Sequence, residues 1–540
     1  MAAKALFPTF FNEETKVWSG VPRRRQFHYD CSVGERIYTS LKNWPQNVAQ
    51  ISEIDGRVVT FEEVQAWATR LALFFKSEKL THEDVVGIIG NASTYVSSLT
   101  VACFFNTTPF HAVAYTYMKE PEVIKALYEI TKPKIMFCDS VHYEIMKEVT
   151  KEWNPKYVTM TGRVEGVPSI EDLLKPHPME RFYQPEVLAI GGDQTAAILC
   201  SSGTSGKPKS VAISHRHINK TEAITNSTDV FLTSATLDWM TGFSLMMLTF
   251  FYGTTQVIFD ETFNADSFIR MIEKYKVTLI VMPPWQAFEV FTSPLATKQN
   301  LSSVRMCIIV GGWLSSKIMQ KGQEIMEHCH IVFSYGATET GAIAFNIDHS
   351  LESSVGRLPP GVNVKIVDDE GNALGHNQVG EILIDVGVKW EGYVGNPEDT
   401  ASTLKDGWIN LGDIGYFNND NNLFLIDRKK DVLKYKSKDY WPNEIEQIIA
   451  ELPEVQSVCV VGVRNRGYTD AAGALVIKRP GTDITKEKII EHVAKRVVVE
   501  YKQLNAGVQF VNELPQNNNG KVLRNVARKV FESLMQNPEF

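Results

Sequence analysis

The loop at residues 201–209 most constrains what this 540-residue chain can fold into. It reads Ser201-Ser202-Gly203-Thr204-Ser205-Gly206-Lys207-Pro208-Lys209, and the apolar run before it, residues 196–200, predicts a buried strand. After the loop come residues 211–213 and then Ser214, which can cap a helix. Glycines let backbone N–H groups turn towards an anion, and the hydroxyls and lysines add donors and positive charge. The loop favours polyphosphate binding over a flexible linker, because linkers seldom follow a buried strand directly.

Composition excludes several other classes of protein. Hydrophobic residues make up 44% of the chain and charged residues 22%, as in an ordinary globular protein, and the length indicates more than one domain. The net charge is −8 and the basic residues are scattered, so no nucleic-acid partner is expected. Seven cysteines without disulfide or metal-ligand spacing favour a reducing compartment. The most apolar run, residues 243–251, is too short for a membrane span.

Alternating helix and strand patterns follow through the first two thirds of the chain. Thr60 and Glu63 have the spacing of a capping box, which predicts a helix beginning there. A second helical pattern covers residues 266–275. Strands are predicted at residues 84–90, 134–138, 277–281 and 306–310. Strands that alternate with helices indicate an α/β fold.

The pattern changes near Gly361. Short strands with turn signals at residues 364–368, 380–384 and 422–426 predict a small β subdomain. The charged break at residues 427–431 precedes a compact α+β tail, so we place a domain boundary at Lys430. This gives an N-terminal domain of residues 1–429 and a C-terminal domain of residues 430–540; on composition alone, a surface loop within one domain stays open.

Two further stretches carry groups that suit a nucleotide. The run Tyr335-Gly336-Ala337-Thr338-Glu339 offers a stacking face, a hydroxyl and a hard oxygen ligand for Mg²⁺ held partly by phosphates. Asp413 follows Gly412, and a carboxylate there can accept both hydroxyls of a ribose. Taken alone, a core tyrosine and an aspartate in a turn are the plainer interpretations.

Two lysine-bearing stretches near the C-terminus are ambiguous by themselves. Residues 427–444 include Lys434, and such a charge run is typical of a solvated surface. Residues 518–521 form a polar turn that ends in Lys521. Neither stretch, taken alone, predicts a function.

In this order, the stretches resemble the adenylate-forming superfamily of acyl-CoA synthetases, 4-coumarate–CoA ligases and insect luciferases. The resemblance covers nearly the whole chain, and residues 202–209 match its most specific signature. The segments 392–398 and 434–436 are most similar to the insect luciferase-like and 4-coumarate–CoA ligase-like branch.

The resemblance implies a large N-terminal domain and a small mobile C-terminal domain. It implies that a carboxylate attacks the α-phosphate of ATP, with Mg²⁺ present, to give an acyl-adenylate and pyrophosphate. The partner is thus a small-molecule carboxylic acid, and no obligate protein partner is implied.

The resemblance also assigns expected roles to matching residues. The loop from Ser201 to Lys209 would hold the β- and γ-phosphates, Tyr335 and Gly336 would lie near adenine, and Asp413 with Arg428 would hold the ribose. Thr338 would contact the α-phosphate and Glu339 would bind Mg²⁺. Lys521 would bridge the carboxylate and the α-phosphate in the first step. Lys430 would be the hinge that brings the Lys434 face to the site for the second step.

Four departures from the family pattern lie in the regions expected to bind the acid and to carry out the second step. Thr241, before Gly242-Phe243, stands where the luciferase-like branch often has a histidine, and Ser334 replaces a glycine before Tyr335. Gly311-Gly312-Trp313 carries a tryptophan in place of an alanine, and Ser437 replaces a glycine of the second-step loop. The expected acyl pocket comprises Thr241, Phe243, Gly311, Gly312, Trp313 and Ser334.

These departures leave two functions open. The first is an acid–CoA ligase for a medium-chain or aromatic acid, with CoA as acceptor. The second is a luciferase that oxidises an adenylated luciferin with O₂. A non-catalytic nucleotide-binding relative is disfavoured by the intact Lys207, Glu339, Asp413 and Lys521. The last residues, 536–540, do not form a peroxisomal tripeptide, so the cytoplasm is expected unless that end was edited.

Overall fold

A computed structural model describes most of the chain. The described residues are 6–23, 27–28, 30–90, 93–201, 208–222, 225–259, 262–312, 314, 316–347, 351, 354–435, 438–464, 470–516 and 522–535. Within these ranges, no helix is both long and apolar enough to cross a membrane.

The strands, in chain order, are β1 (Thr9–Asn12), β2 (Val17–Gly20), β3 (Val48–Ser52), β4 (Val58–Thr60), β5 (Val86–Gly90), β6 (Phe110–Ala114), β7 (Ile135–Cys138), β8 (Lys156–Thr159), β9 (Thr195–Ser201), β10 (Lys209–Ser214), β11 (Val230–Thr233), β12 (Thr255–Ile258), β13 (Leu279–Met282), β14 (Met306–Val310), β15 (His330–Ala337), β16 (Gly341–Asn346), β17 (Ser354–Gly356), β18 (Asn363–Val367), β19 (Gly380–Asp385), β20 (Leu404–Lys405), β21 (Trp408–Phe417), β22 (Leu423–Arg428), β23 (Leu433–Tyr435), β24 (Lys438–Tyr440), β25 (Val455–Arg464), β26 (Asp470–Lys478) and β27 (Gly507–Phe510).

The α-helices are α1 (Val33–Leu41), α2 (Phe61–Ser77), α3 (Val96–Phe105), α4 (Pro121–Thr131), α5 (Tyr143–Val149), α6 (Ile170–Leu173), α7 (His215–Asn219), α8 (Met240–Tyr252), α9 (Ala265–Tyr275), α10 (Pro284–Thr292), α11 (Ser316–Ile325), α12 (Pro397–Thr403), α13 (Pro442–Ala450), α14 (Lys486–Arg496) and α15 (Arg524–Leu534).

Two mainly parallel sheets form the body of the N-terminal part. The first has the order β10-β9-β6-β5-β7-β8, in which only the β9–β10 pair is antiparallel among the described strands. The second has the order β16-β15-β14-β13-β11-β12-β3-β4, with antiparallel pairs at its two ends. Helices connect the parallel strands, because a parallel pair needs a crossover rather than a tight turn.

A third, antiparallel sheet completes the N-terminal part. Its order is β1-β2-β18-β19-β21-β22-β17, with β20 beside β21. After residue 428, the described chain forms the β23–β24 pair and a sheet of order β25-β26-β27. The predicted fold class, an α/β N-terminal domain with a β subdomain and a smaller C-terminal domain, is confirmed.

Local sequence signals explain several of these elements. Thr60 accepts a hydrogen bond from the N–H of Glu63, and the Glu63 carboxylate accepts from the N–H of Thr60, so α2 begins with the predicted capping box. The apolar run before the phosphate loop is β9, whose residues 196–200 are buried. The phosphate loop therefore begins at the end of a buried strand.

Two predicted site residues lie in strands rather than at turns. Tyr335 lies inside β15, which continues to Ala337. Asp413 lies inside β21 and pairs with Arg428 of β22, so the plainer interpretation of an aspartate in a turn is wrong. Gly412, with a φ of +78°, supplies the left-handed backbone just before Asp413, which favours glycine there.

Asp238 is a buried carboxyl on the loop before α8. It is 3% exposed; Thr236 Oγ1 donates to its Oδ1, and its Oδ2 has no hydrogen-bond partner within the described part of the chain. Burial raises the pKa of this carboxyl to about 6. The folded state therefore favours the protonated form, and the stability that Asp238 contributes at low pH is lost as the pH rises through about 6.

Replacing Asp238 with asparagine should stabilise the protein at about pH 8 and have little effect at about pH 3, where the carboxyl is protonated in both the folded and the unfolded chain. At the higher pH the substitution removes a buried charge whose cost is on the order of 3 kcal/mol, since one pKa unit corresponds to about 1.4 kcal/mol. Thermal unfolding at both pH values measures the effect, with the exposed Asp483→Asn as the control. Equal shifts of the midpoint at both pH values would contradict the assigned cause.

Candidate active site

The edges of the large sheets meet around a cavity of about 2230 Å³. Described residues of the C-terminal part also line it, among them Gln516 and Val522. Predicted site residues from widely separated parts of the sequence line this one cavity: Ser201, Lys209, Thr241, Phe243, Gly311, Gly312, Ser334, Gly336, Thr338, Glu339, Arg428 and Lys430. Tyr335 and Asp413 are not among the lining residues, but Tyr335 is hydrogen-bonded to Asp413, which also accepts from the lining residue Arg428.

A buried carboxylate joins the second and third sheets. The Tyr335 hydroxyl donates to Asp413 Oδ2 at 2.6 Å, and Arg428 Nε donates to Asp413 Oδ1 at 3.1 Å. Burial and the neighbouring carboxylate raise the pKa of Tyr335 well above its ordinary value, so its hydroxyl stays a donor. Asp413 is 4% exposed, yet each of its oxygens has a second lone pair with which to accept a hydroxyl.

The predicted metal ligand Glu339 is held by a residue that the sequence did not assign to the site. The Tyr393 hydroxyl donates to Glu339 Oε1 at 2.8 Å. Burial and the Glu339 carboxylate raise the pKa of Tyr393 well above its ordinary value. Two backbone hydrogen bonds join its segment to β10: Ala212 N donates to Gly392 O at 3.1 Å, and Val394 N donates to Ser210 O at 2.8 Å. Tyr393 thus orients Glu339 from a segment that is hydrogen-bonded to β10, the strand that follows the phosphate loop.

Lys209 belongs to the same group of contacts. Its Nζ lies 2.8 Å from Asp399 Oδ2 and 4.5 Å from the centre of the Tyr393 ring. The ammonium is therefore held against an aromatic face by a carboxylate, close to the tyrosine that orients Glu339. Positive charge and a hard oxygen ligand occupy neighbouring positions on the cavity wall.

Thr338 and Ser201 place hydroxyls at the end of β9. Thr338 Oγ1 donates to Cys200 O at 3.3 Å, and both Thr338 and Ser201 are buried. Ser201 Oγ makes no hydrogen bond to any residue of the described ranges. Gly336 permits this arrangement, because an added Cβ would lie 2.4 Å from Gly341 O across the β15–β16 pair. The rest of the phosphate loop, Ser202 to Lys207, lies outside the described residues.

The donor set fits a magnesium ion shared with phosphates. Glu339 supplies one oriented carboxylate on the cavity wall, and the described residues contain no cluster of three or more acidic, histidine or cysteine side chains. Mg²⁺ is commonly bound through one or two carboxylates together with substrate phosphates rather than in an all-protein cage.

The expected acyl-pocket residues that the structure describes line the same cavity. Thr241 and Phe243 lie in the first turn of α8, Gly311 and Gly312 follow β14, and Ser334 lies in β15. Trp313 lies outside the described residues. The residues expected to bind the acid and those expected to bind the phosphates therefore line one continuous cavity.

The second-step residues are divided between the cavity and the surface. Lys430 lines the cavity, and burial lowers the pKa of its ammonium. Lys434, in β23, is exposed and is not part of the cavity wall. Gln516 and Val522 pair with each other and flank the stretch that contains Lys521. Lys521 and Ser437 themselves lie outside the described residues.

Sequence reasoning missed Tyr393 and Asp399 as site residues. Their segment, Gly392 to Asp399, carried a sequence signal as a family-like motif, but nothing in it indicates that it lies beside Glu339 and Lys209. That proximity depends on pairing between β10 and residue 393, which are far apart along the chain.

Comparison with known proteins agrees with this geometry. The AMP-binding enzyme family matches residues 37–393, and the C-terminal domain of AMP-binding enzymes matches residues 444–521. The chain is 34% identical to 4-coumarate–CoA ligase-like 6 of Oryza sativa subsp. japonica over 63% of this chain and 62% of that protein. It is 26% identical to 4-coumarate–CoA ligase 3 of the same organism over 87% and 86% of the two chains.

A solved structure shares the fold. ATP-bound MatB from Rhodopseudomonas palustris superposes with a TM-score of 0.82 at 22% sequence identity, over 93% of this chain and 100% of that one. The family match covers more than half of the chain and includes the strand and loop from which the sequence argument began. The chain therefore belongs to the AMP-binding enzyme family, and its predicted place in the adenylate-forming superfamily, as an adenylate-forming ligase, is confirmed.

Proposed function

We propose that the protein activates a medium-chain or aromatic carboxylic acid with ATP and transfers the acyl group to CoA. The observation that carries the proposal is the convergence of Lys209, Thr338, Glu339 and Arg428 with the acyl-side residues on one cavity. The 4-coumarate–CoA ligase names of the relatives support CoA as the acceptor.

In the first step a carboxylate oxygen attacks the α-phosphorus of ATP. A new P–O bond forms to the acid, the bond from the α-phosphorus to the bridging oxygen breaks, and pyrophosphate leaves with the electron pair. The Asp413 carboxylate, fixed by Tyr335 and Arg428, holds the ribose hydroxyls, and Lys209 holds the departing phosphates. Thr338 and Lys521 stabilise charge at the α-phosphate, so positioning and charge neutralisation supply most of the rate.

Glu339 holds Mg²⁺ in this proposal. When bound, the ion neutralises the charge of the phosphate oxygens. The protein's part is to fix one carboxylate, and Tyr393 does so through its hydrogen bond to Glu339 Oε1. A partner that orients a ligating carboxylate contributes to metal affinity although it does not touch the metal.

The second step requires the C-terminal domain, residues 430–540, to turn about Lys430. Lys430 lines the cavity while Lys434, a few residues on, is exposed, so a rotation is needed before Lys434 reaches the adenylate. CoA then attacks the acyl carbon through its sulfur, the thioester forms, and AMP leaves. The free cysteines support a reducing compartment, and we propose the cytoplasm as the site of action.

Lys521→Ala should lower the rate of acid-dependent pyrophosphate release by about 10²–10³-fold, the usual effect of removing one donor from a developing charge. Steady-state pyrophosphate assays with the best acid measure it. Lys529→Ala, on α15 and exposed, is the matched control and should leave the rate unchanged. Unchanged release in Lys521→Ala would overturn its assigned role.

Tyr393→Phe should raise the Mg²⁺ concentration for half-maximal activity by about tenfold, because Glu339 loses the hydrogen bond that orients it. Activity titrated with Mg²⁺ at saturating ATP measures the change. Tyr416→Phe, at a ring stacked on Phe424 in the third sheet, controls for loss of a hydroxyl. If Tyr393→Phe alters kcat alone, Tyr393 does not act through the metal.

Analysis of the products formed from ATP and a panel of acids, with and without CoA, identifies the acceptor of the acyl group. Thioester should form at a rate comparable to adenylation, and Ser437→Gly should raise CoA use if the serine side chain obstructs the acceptor's path. Light emission with a luciferin and O₂, without thioester formation, would favour the luciferase alternative instead.

A further inference from the structure

A group of basic side chains lines the cavity beside the turn that carries Thr338 and Glu339. We name Arg23, His217 and Lys220 the basic end of the cavity; all three line it. His217 lies on α7 and Lys220 directly follows this helix, whereas Arg23 comes from the segment after β2. None of the three belongs to the machinery proposed for ATP.

Lys220 is held towards the active-site turn. Its Nζ donates to Thr340 O at 2.9 Å, and Thr340 directly follows Glu339. This bond uses one of three N–H donors, and no carboxylate within the described ranges forms an ion pair with Lys220. Burial lowers the pKa of the ammonium well below its ordinary value. Lys220 therefore lacks a close carboxylate partner, and an acidic oxygen group bound beside it would favour its charged form.

The nearby acidic groups of the protein do not supply Lys220 with a close partner. Asp385, which attracts Lys220, already accepts from Asn363 Nδ2 at 2.9 Å and from Gly387 N at 2.8 Å. Glu222 lines the cavity but is solvent-exposed, so its charge is largely hydrated. A half-buried ammonium without a close carboxylate is costly, so a ligand that supplies an acidic oxygen group beside Lys220 is favoured.

His217 and Arg23 extend the same basic end. His217 is 5% exposed, and its Nε2 lies 3.7 Å from where a Cβ on Gly341 would stand. Arg23 Nη2 donates to Pro360 O at 2.8 Å, which fixes the guanidinium against the cavity wall. The basic end is therefore built from groups of two separate segments, one at α7 and one after β2.

We propose that the acid activated by this protein carries a second acidic oxygen group, such as a carboxylate, which binds Lys220 with His217 and Arg23. The reacting carboxylate lies at Thr338, and the second group lies at the basic end beyond Gly341. Charge-assisted hydrogen bonds to this group align the acid in the cavity. The inference rests on the proposed function and makes Lys220 a specificity-determining residue.

Pairs of acids with equal carbon number test the proposal, each pair consisting of a monocarboxylic acid and its α,ω-dicarboxylic counterpart. The pairs span a series of chain lengths and include an aromatic pair. The kcat/KM for acid-dependent pyrophosphate release in the wild-type protein should favour the diacid by at least about tenfold at the length that fits, as expected for one hydrogen bond between charged groups.

Lys220→Met keeps the length and removes the charge. It should raise the KM for the diacid by about tenfold and leave the KM for ATP and the turnover of the monoacid unchanged. Lys220→Arg should keep the preference for the diacid. Lys175→Met, at an exposed lysine, controls for loss of a surface charge.

Two results would overturn the inference. One is a preference of the wild-type protein for the monoacid at every length, which needs no variant and so does not depend on folding of Lys220→Met. The other is an equal loss with all acids in Lys220→Met, which would give Lys220 only the role of holding the Thr338–Gly341 turn. In either case, release of pyrophosphate with monoacids would leave the proposed function standing, whereas no release with any acid would overturn both.

Discussion

The bonding of Asp413 is the contact on which the rest of the site depends. Its carboxylate accepts from Tyr335 on the second sheet and from Arg428 across the antiparallel pair β21–β22 of the third sheet. Because the carboxylate is buried, losing either donor would leave a costly unpaired charge, so the two sheets are fixed to each other at this point. The geometry proposed for ribose binding is therefore built into the packing of the N-terminal part.

A second contact connects the first sheet to the same place. Residue 393 pairs beside β10, and its hydroxyl reaches Glu339 at the end of the turn after β15. Lys209, at the start of β10, lies over the Tyr393 ring, so the lysine proposed to hold phosphates and the proposed metal carboxylate both contact Tyr393. Electrostatic preorganisation of this kind is effective because the groups need no reorganisation when charge develops in the reaction. Beside the same turn, the basic end of the cavity presents side chains that the proposed handling of ATP does not use.

Much of the site could be predicted because its groups lie in short motifs with strong local signals. The strand before the phosphate loop, the capping box at Thr60 and the short strands after Gly361 follow from hydrophobic patterning and turn chemistry, which are local properties. The interpretation of Asp413 as a turn residue failed because a glycine in the left-handed conformation occurs inside β21, where it looks like a turn signal. Tyr393, Asp399 and Lys220 escaped prediction because each acts across a pairing or cavity that joins distant segments.

The sequence by itself determined the family, the α/β class, the order of the motifs and the chemistry of the groups that we propose to bind ATP. Those properties depend on residue types at short spacing, which a chain carries before it folds. The tertiary structure decided which of these groups touch: Tyr335 with Asp413, Tyr393 with Glu339, and Lys209 with Asp399. It also decided that Lys220 faces the cavity and donates to the backbone oxygen of Thr340, because burial and charge compensation are properties of the packed state and not of the sequence order.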